Sequence, residues 1–588
     1  MLFILLLGPE HIAAISSPEF VTSTNVIFNT ATDYINADNP TITVAGHPIA
    51  LWQQDGVYYA FLPAACKKNP KLLSDFPEEA DHTPIVWMYS DNIPSVFIDI
   101  SSDISETINN NKEIKESGMI TVLDPNGKIS LQQPLEYIKG RGNSSYLEFD
   151  KKPYQIKLKD SVPFLGMQKG KRWVFNSNTS DPSLLRNALA RNLANHLDLT
   201  QSDPGVFVDL YLNGEYVGNY YVTEKVEVRK NRLSITDLEK ATEIVNNQED
   251  LGIYETAWTE KTKAKDIPND PEDITGGYLI ERDFNARFLK EVEDNGSYFI
   301  TEANECFILR SPEYASENQL IYINNYVQNV ENAILSPDGI DPVTGKYYTE
   351  LIDLDSFVRK YLLEEITANY DGGVASSFFY KDSDRIDDKL YAGPIWDYDV
   401  SFGNTPAYQG HLYDEPDRLT RLCFNPDASS WFPALYGKPE FYEVVSSCYK
   451  DKISSHLMYI SETILPELAD TIAASAEMDR TRWQKQYLEN DGGNTFKDSI
   501  AFLSDYITGR KAFLDRVWIE KEPFCQITLY IEDASYDIFT VFEGEPLPEF
   551  PTPEITYANF HGWVSEDGSF PDHTTPVYSD MTFHAYLE

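Results

Sequence analysis

The stretch Asn369–Asn404, NYDGGVASSFFYKDSDRIDDKLYAGPIWDYDVSFGN, places two apolar, aromatic-rich segments on either side of a polar run. Residues 374–380 and 389–396 have the composition of strands, and the polar run KDSDRIDD between them has that of a turn. The centre of this turn falls near residue 385. The stretch therefore predicts a β-hairpin whose two open ends carry aspartates.

Three carboxylates are expected to gather at the open end of this hairpin. Folding about residue 385 brings Asp371 level with Asp399 and Asp397 near Gly373, and paired strands lie about 5 Å apart. Asp397 and Asp399 are two positions apart on a predicted strand, so their side chains should point the same way. Carboxylates this close raise each other's pKa unless a cation neutralises them, and oxygen ligands suit Mg²⁺ or Mn²⁺. Spacing alone fits helix and turn caps equally well.

The bulk composition excludes several classes of function. The chain has 588 residues, 93 acidic against 48 basic, and a net charge of −45, which repels nucleic acid and anionic membranes. Its five cysteines form no CxxC pair and its nine histidines form no HExxH motif, so zinc and dithiol chemistry are not indicated. The opening run MLFILLLGPE is too short to span a bilayer and lacks a basic flank. It has the features of an incomplete signal peptide or of an edge strand.

The pattern of apolar and turn-forming residues changes twice along the chain. Short alternating apolar runs up to about residue 229 predict strands, with a hairpin at Asn213-Gly214 and a helix at 183–198 that begins with Asp181 as N-cap. Long helix-like stretches follow, and 231–275 is predicted to be an inserted exposed loop region. From about residue 525, short strands alternate with Pro and Gly turns, as in a small all-β module.

A basic turn lies in the strand-rich part. In GRGNSSY, two glycines flank Arg141, and the hydroxyl residue Ser144 follows. Backbone amides and an arginine in such a turn can hold phosphate oxygens, although most turns of this kind have no ligand. Lys157 sits in the middle of the next predicted strand, where a lysine is usually solvated. A Lys157 side chain that faced a cleft would contact nucleotide phosphates.

Six blocks in order resemble the spore coat protein H (CotH) kinase family over residues from about 90 to 520. They are IKGRGNSSYLEFDKKPYQIKL, LGMQKGKRWVFNSNTSDPSLLRNALARNLA, VDLYLNGEYVGNYYVTEKVEV, GGYLIERD, NYDGGVASSFFYKD and PIWDYDVSFGN. The resemblance implies an α+β, atypical protein-kinase-like fold in two lobes, with a β-rich N-lobe at 91–229 and a helix-rich C-lobe at 230–522. Small β-rich accessory regions are expected at 1–90 and 523–588.

The resemblance also implies a reaction, the transfer of phosphate from ATP to protein serine or threonine with Mg²⁺ or Mn²⁺. It assigns expected roles to seven positions: Arg141 and Ser144 in the phosphate-covering loop, Lys157 as the strand lysine that binds phosphates, Glu224 at the hinge near adenine, Asp371 as the catalytic aspartate, Asp397 as a metal ligand and Asp399 as its helper. The family pattern is not matched throughout. The helix 183–198 has no glutamate for the usual lysine–glutamate pair, and Arg186 or Glu281 is expected to take part in another arrangement.

The last region resembles the Listeria–Bacteroides repeat, a β-grasp-like unit of bacterial surface proteins. The matching residues are GEPLPEFPTPE, FHGWVSEDG and TPVYSDMTFHAYLE, with Phe560 and Trp563 expected in its core. This resemblance implies a secreted or cell-surface bacterial protein with a cell-wall or surface partner.

Two other interpretations remain open. A non-catalytic, kinase-shaped surface scaffold or adhesin that binds protein or glycan would also explain the accessory modules. A glycosidase with two carboxylates is a third possibility, but the third aspartate and the phosphate-type turn argue against it.

Overall fold

The computed structural model of the chain describes residues 20–22, 27–29, 40–75, 85–201, 203–283, 288, 296–404, 415–420, 429–553 and 555–588. Helices and strands alternate along the described residues, which confirms the α+β class. The opening apolar run lies outside the described residues. No helix in the described ranges combines the length and the apolar character that crossing a membrane requires.

The strands are numbered in chain order. Up to residue 230 they are β1 (Phe20–Thr22), β2 (Ile27–Asn29), β3 (Thr41–Val44), β4 (His47–Ala50), β5 (Trp52–Gln54), β6 (Val57–Leu62), β7 (Leu73–Ser74), β8 (Ile85–Tyr89), β9 (Ser95–Ile100), β10 (Glu116–Leu123), β11 (Ile129–Gly140), β12 (Tyr154–Phe164), β13 (Met167–Asn176), β14 (Val206–Leu212) and β15 (Glu215–Glu224). After it they are β16 (Thr256–Trp258), β17 (Thr262–Lys265), β18 (Tyr278–Asp283), β19 (Tyr298–Ile300), β20 (Cys306–Ser311), β21 (Ser377–Lys381), β22 (Leu390–Ala392), β23 (Phe524–Ile531), β24 (Ala534–Phe542), β25 (Phe560–Ser565) and β26 (Met581–Leu587).

The helices are concentrated in the second half of the chain. The α-helices are Ala64–Lys68, Ser144–Leu147, Arg186–His196, Leu238–Asn246, Glu317–Leu335, Tyr348–Leu351, Leu354–Thr367, Trp431–Tyr436, Pro439–Cys448, Ser454–Tyr459, Leu465–Arg482, Gln484–Asp491 and Phe496–Asp515. Short 3₁₀ turns cover Pro70–Leu72, Leu251–Ile253 and Asp371–Gly373, and π-helical turns cover Tyr449–Ile453, Ile460–Ile464 and Arg516–Glu520.

The chain divides into two compact units. The first comprises the described parts of Met1–Ser161 together with Phe207–Tyr220 and Asp470–Glu489. In it β10 pairs antiparallel with β9 and β11, β11 pairs with β12, and β14 runs parallel to β9. A core of buried apolar side chains from β3 to β9 also contains Met478, which comes from the late helical segment. The strand-rich first unit is therefore completed by residues from near the end of the chain.

The second unit comprises Val162–Val206, Tyr221–Ala469 and the described part of Asn490–Glu588. It contains a seven-stranded sheet in the order β16-β17-β19-β20-β18-β21-β22 as well as most of the helices. A four-stranded sheet in the order β24-β23-β26-β25 forms near its end. Trp563 is buried in the core of this small sheet and Phe560 packs against that core, so both predicted core positions are confirmed.

Several local predictions can be compared with the structure. Asn213 and Gly214 both have positive φ, at 47° and 82°, as a tight hairpin turn of the predicted type requires. The region 231–275 is not simply an exposed loop, because it contains the helix Leu238–Asn246 and the strands β16 and β17. The helix predicted from 183 begins at Arg186, and Asp181 lies outside its first turn.

Candidate active site

The hairpin that carries the predicted acidic site forms nearly in the expected register. Strands β21 and β22 pair with Phe379 opposite Ala392, which places the centre of the turn within a residue of position 385. Beyond the strands, the amide of Tyr370 donates to the carbonyl of Val400 at 3.1 Å. This bond joins the neighbour of Asp371 to the neighbour of Asp399. The two aspartate-bearing segments therefore run side by side.

Further hydrogen bonds join these segments. The amide of Phe402 donates to the carbonyl of Thr367 at 2.6 Å, and Ser376 Oγ donates to Asp397 Oδ2 at 3.3 Å. Asp371 begins the 3₁₀ turn Asp371–Gly373. Asp397 has a φ of 67°, so its segment is not an extended strand and the predicted alternation of side chains does not apply there.

The carboxylate of Asp399 has a strongly perturbed environment. Ser180 Oγ donates to its Oδ2 at 2.5 Å, and the Asn404 side chain donates to its backbone carbonyl at 2.7 Å. Burial and the negative charge of Asp397 raise the pKa of Asp399 well above its ordinary range, and the Ser180 bond opposes that rise only in part. A cation placed here would favour the ionised pair.

The divalent-cation site predicted at this end of the hairpin stays a prediction. Among the described residues, no group of three or more His, Cys, Asp or Glu side chains is arranged to hold a metal ion. Mg²⁺ is commonly bound through one or two carboxylates, with water and substrate phosphates as its other ligands. Asp397 and Asp399, whose charges interact, fit that description as a carboxylate pair.

A buried arginine holds the Asp371 turn from the sheet side. Arg282 on β18 pairs with Glu305 at 2.7 Å and donates to the carbonyl of Gly373 at 2.9 Å and to that of Val374. Both charged side chains are almost fully buried. No local sequence pattern indicates this role, because Arg282 lies 91 positions before Gly373 in the chain.

A second buried arginine holds the segment after Asp399. Arg186 pairs with Asp181 at 2.5 Å and donates from Nε to the carbonyl of Ser401 at 2.7 Å. Asp181 also accepts from the amide of Arg186 at 2.8 Å, so it serves this arginine rather than capping a helix at 182. Arg186 therefore pairs with Asp181, whereas Glu281 pairs with Arg310 at 2.6 Å. Lys157 is a partner in neither pair, so the expected substitute for the lysine–glutamate pair stays a prediction.

The basic turn lies in the first unit and is partly exposed. The amide of Arg141 donates to the carbonyl of Pro153 at 3.1 Å, and Ser144 is an exposed residue at the start of the short helix Ser144–Leu147. Gly142 has a φ of 90°, and a Cβ there would lie 2.5 Å from Ser145 Oγ, so the turn requires glycine.

Two lysines that the sequence interpretation missed support this turn. Lys112 Nζ donates to the carbonyl of Gly142 at 3.2 Å and to Asn143 Oδ1 at 3.0 Å. Lys152 Nζ donates to the carbonyl of Tyr146 at 2.6 Å. Their positive charges add to that of Arg141 at this turn.

The strand lysine has a close neighbour with a very different environment. Lys157 forms an ion pair with Glu136 on the adjacent strand β11, and both side chains are partly exposed. Lys151, by contrast, is paired with Asp479 at 2.7 Å, and each side chain is only 1% exposed. A buried lysine preceding β12 was not predicted, because its partner comes from the late segment Asp470–Glu489.

Glu224 lies at the end of β15 and is buried. Its carboxylate pairs with Arg232, whose guanidinium packs on the ring of Trp173 at 4.7 Å. Burial raises the pKa of Glu224 to about 7, although Arg232 opposes the shift. The predicted contact of Glu224 with adenine stays a prediction.

The family model described as CotH kinase protein matches residues 138–514, more than half of the chain. The chain therefore belongs to the CotH kinase family, and this membership indicates a kinase-like function. All seven predicted site residues fall within the matched region. No curated protein matches the chain.

Proposed function

We propose that this protein transfers the γ-phosphate of ATP to serine or threonine side chains of surface or secreted proteins, with Mg²⁺ or Mn²⁺ as cofactor. The observation that carries the proposal is the joining of the Asp371 segment to the Asp397–Asp399 segment by hydrogen bonds within the family match. Phosphoryl transfer requires alignment and charge neutralisation more than covalent chemistry. Carboxylates on two adjoining, rigid segments are suited to that task.

Each candidate residue has a role in this reaction, and that of Glu224 is to contact adenine. Asp371 accepts the proton of the substrate hydroxyl as its oxygen bonds to the γ-phosphorus, and the bond from that phosphorus to the β,γ-bridging oxygen breaks to release ADP. Asp397 and Asp399 hold the divalent ion, which when bound neutralises phosphate charge. Arg141, Ser144 and Lys157 contact phosphate oxygens.

Phosphate transfer from radiolabelled ATP, with casein and the chain itself as acceptors, tests the proposal. We expect transfer in the presence of Mn²⁺, loss of transfer with a chelator, and loss in Asp371→Ala. Asp533→Ala, which removes an exposed aspartate from the turn after β23, is the matched control and should keep full activity. Stabilisation by ATP and Mn²⁺ without transfer to either acceptor would contradict the proposal and favour a non-catalytic scaffold.

The proposal extends to the architecture and location of the protein. The two-lobed kinase layout, with boundaries at 91–229 and 230–522, and a repeat-like β-grasp module at 523–588 belong to it. The buried Trp563 core and the parallel pairing of β23 with β26 support a small module with its own apolar centre. An extracellular or cell-surface location, with a cell-wall partner for this module, follows from the resemblance of its sequence to surface repeats.

A further inference from the structure

One buried carboxylate contacts both segments that carry the candidate aspartates. Glu364 lies on the helix Leu354–Thr367 with none of its surface exposed. Its Oε1 accepts from the hydroxyl of Tyr398 at 2.6 Å, and its Oε2 accepts from Asn369 Nδ2 at 3.0 Å. Tyr398 stands between Asp397 and Asp399 in the chain. Each carboxylate oxygen of Glu364 therefore accepts a hydrogen bond from a different segment.

The end of the helix brings the Asp371 segment back onto Glu364. Ala368 has a φ of 45°, and the amide of Asn369 donates to the carbonyl of Glu364 at 3.2 Å. The amide of Ala368 donates to the carbonyl of Glu365 at 3.2 Å. These two bonds with a left-handed residue form a Schellman motif, which reverses the chain immediately after the helix.

Gly372 fits directly against the same carboxylate. A Cβ on Gly372 would lie 1.7 Å from Glu364 Oε2, a distance that no side chain can occupy. Asn369 and Gly372 thus both rest on Glu364, and Asp371 lies between them in the chain. The position of Asp371 is set by the atoms on either side of it.

Lys360 completes the group. Its Nζ lies 2.5 Å from Glu364 Oε1, one helical turn away, and 3.3 Å from the Tyr398 hydroxyl. Both charged side chains are essentially fully buried. Replacing a buried ion pair with well-packed apolar residues is often neutral or stabilising, so the stability of the helix does not by itself require this pair.

We infer that Glu364 is a positioning residue, which fixes Asp371 relative to Asp397 and Asp399 through Asn369, Gly372 and Tyr398. The inference rests on the proposed function for its catalytic consequence. Its structural part, the coupling of the two segments through one carboxylate, is measurable without any activity.

Tyr398→Phe is the mildest test, because it removes only the hydroxyl bonded to Glu364 and keeps the buried ring. Tyr449→Phe is the matched control, since Tyr449 is also fully buried and donates its hydroxyl to a carboxylate, Asp515 Oδ1, at 2.9 Å. Amide hydrogen exchange of 369–376 and 397–402 in the full chain is compared among wild type and both variants. Steady-state phosphate transfer to casein is measured in parallel.

We expect Tyr398→Phe to accelerate exchange in both segments and to lower kcat by about tenfold, with little change in the KM for casein. Tyr449→Phe should lose comparable stability but leave kcat and exchange in these segments unchanged. Gly372→Ala, which displaces the carboxylate, should reproduce the kcat loss more severely.

The inference is overturned if Tyr398→Phe and Tyr449→Phe show the same exchange in both segments and the same kcat. It is also overturned if exchange changes in one segment alone, because a single carboxylate that couples them must release both. Wild-type enzyme without transferase activity would overturn the proposed function, and the exchange comparison would still decide whether Glu364 couples the segments.

Discussion

The acidic segments around Asp397 and the basic turn around Arg141 are held in place by different kinds of interaction. Buried ion pairs support the acidic segments, where Arg282 and Arg186 donate to backbone carbonyls. Partly exposed lysines support the basic turn, and their flexible side chains reach backbone and amide oxygens. Buried, paired charges fix geometry before any ligand binds, whereas partly exposed lysine side chains can change conformation around a ligand. The comparison indicates that the acidic segments are held more firmly than the basic turn.

The largest effect on activity is expected at the acidic segments. Asp371→Ala should lower kcat for phosphate transfer by about 10²–10⁴-fold, the usual contribution of a general base. Thermal unfolding should change little, because Asp371 is only partly buried. Full activity of a folded Asp371→Ala variant would remove this residue from the reaction.

The support of the acidic segments by buried ion pairs is tested at Arg282. Arg282→Met leaves Glu305 buried without its ion-pair partner and should reduce the free energy of unfolding by about 3–5 kcal/mol. Urea denaturation gives the value. A loss below about 1 kcal/mol would mean that the Asp371 turn does not depend on this arginine.

Removal of a positive charge at the basic turn should change the binding of ATP rather than the free energy of unfolding. Arg141→Ala is expected to raise the KM for ATP roughly tenfold, because a charge-assisted contact with phosphate is lost. Lys157→Ala should also raise the KM for ATP. Lys159→Ala, an exposed lysine two positions further along β12, is the control and should leave the KM unchanged.

The pH dependence of stability should differ between wild type and Asp399→Asn. The pKa of Asp399 is raised in the folded protein, so the unfolded chain ionises first, near its ordinary value of about 3.9. The free energy of unfolding of the metal-free protein should therefore fall as pH rises from that value through the raised pKa. Urea denaturation between pH 4 and pH 8 measures this, and equal slopes in both proteins would contradict the assignment.

The smallest effect on stability is expected at Lys112, whose side chain donates to the basic turn. Lys112→Ala removes partly exposed hydrogen bonds to Gly142 and Asn143 and should cost below about 1 kcal/mol of unfolding free energy. A cost equal to that of Arg282→Met would mean that the acidic segments and the basic turn do not differ in how firmly they are held.

Local patterns predicted the elements that local physics determines. The polar run about residue 385 determined the hairpin register, and Asn213-Gly214 determined a tight turn. The strand β18 was not predicted, because all six of its residues are buried and it shows no alternation of polar and apolar positions. Alternation is the signal of a half-exposed strand only.

The supporting residues could not be predicted, because their partners are remote in sequence. Arg282 and Gly373 are separated by 91 positions, and Arg186 and Ser401 by 215. Nothing in the residues around Lys151 and Lys157 shows which lysine is buried, since that depends on Asp479. The sequence could identify chemically suitable residues, but not the ion pairs that orient them.

The late segment Asp470–Glu489 has a consequence for how the protein is made. It supplies Asp479 to Lys151 and Met478 to the core of the first unit. On the ribosome, the first unit cannot reach its final form until most of the polypeptide has been translated. A chain that stops before residue 470 would lack both side chains, so Lys151 would lose its ion-pair partner and the core of the first unit would be incomplete.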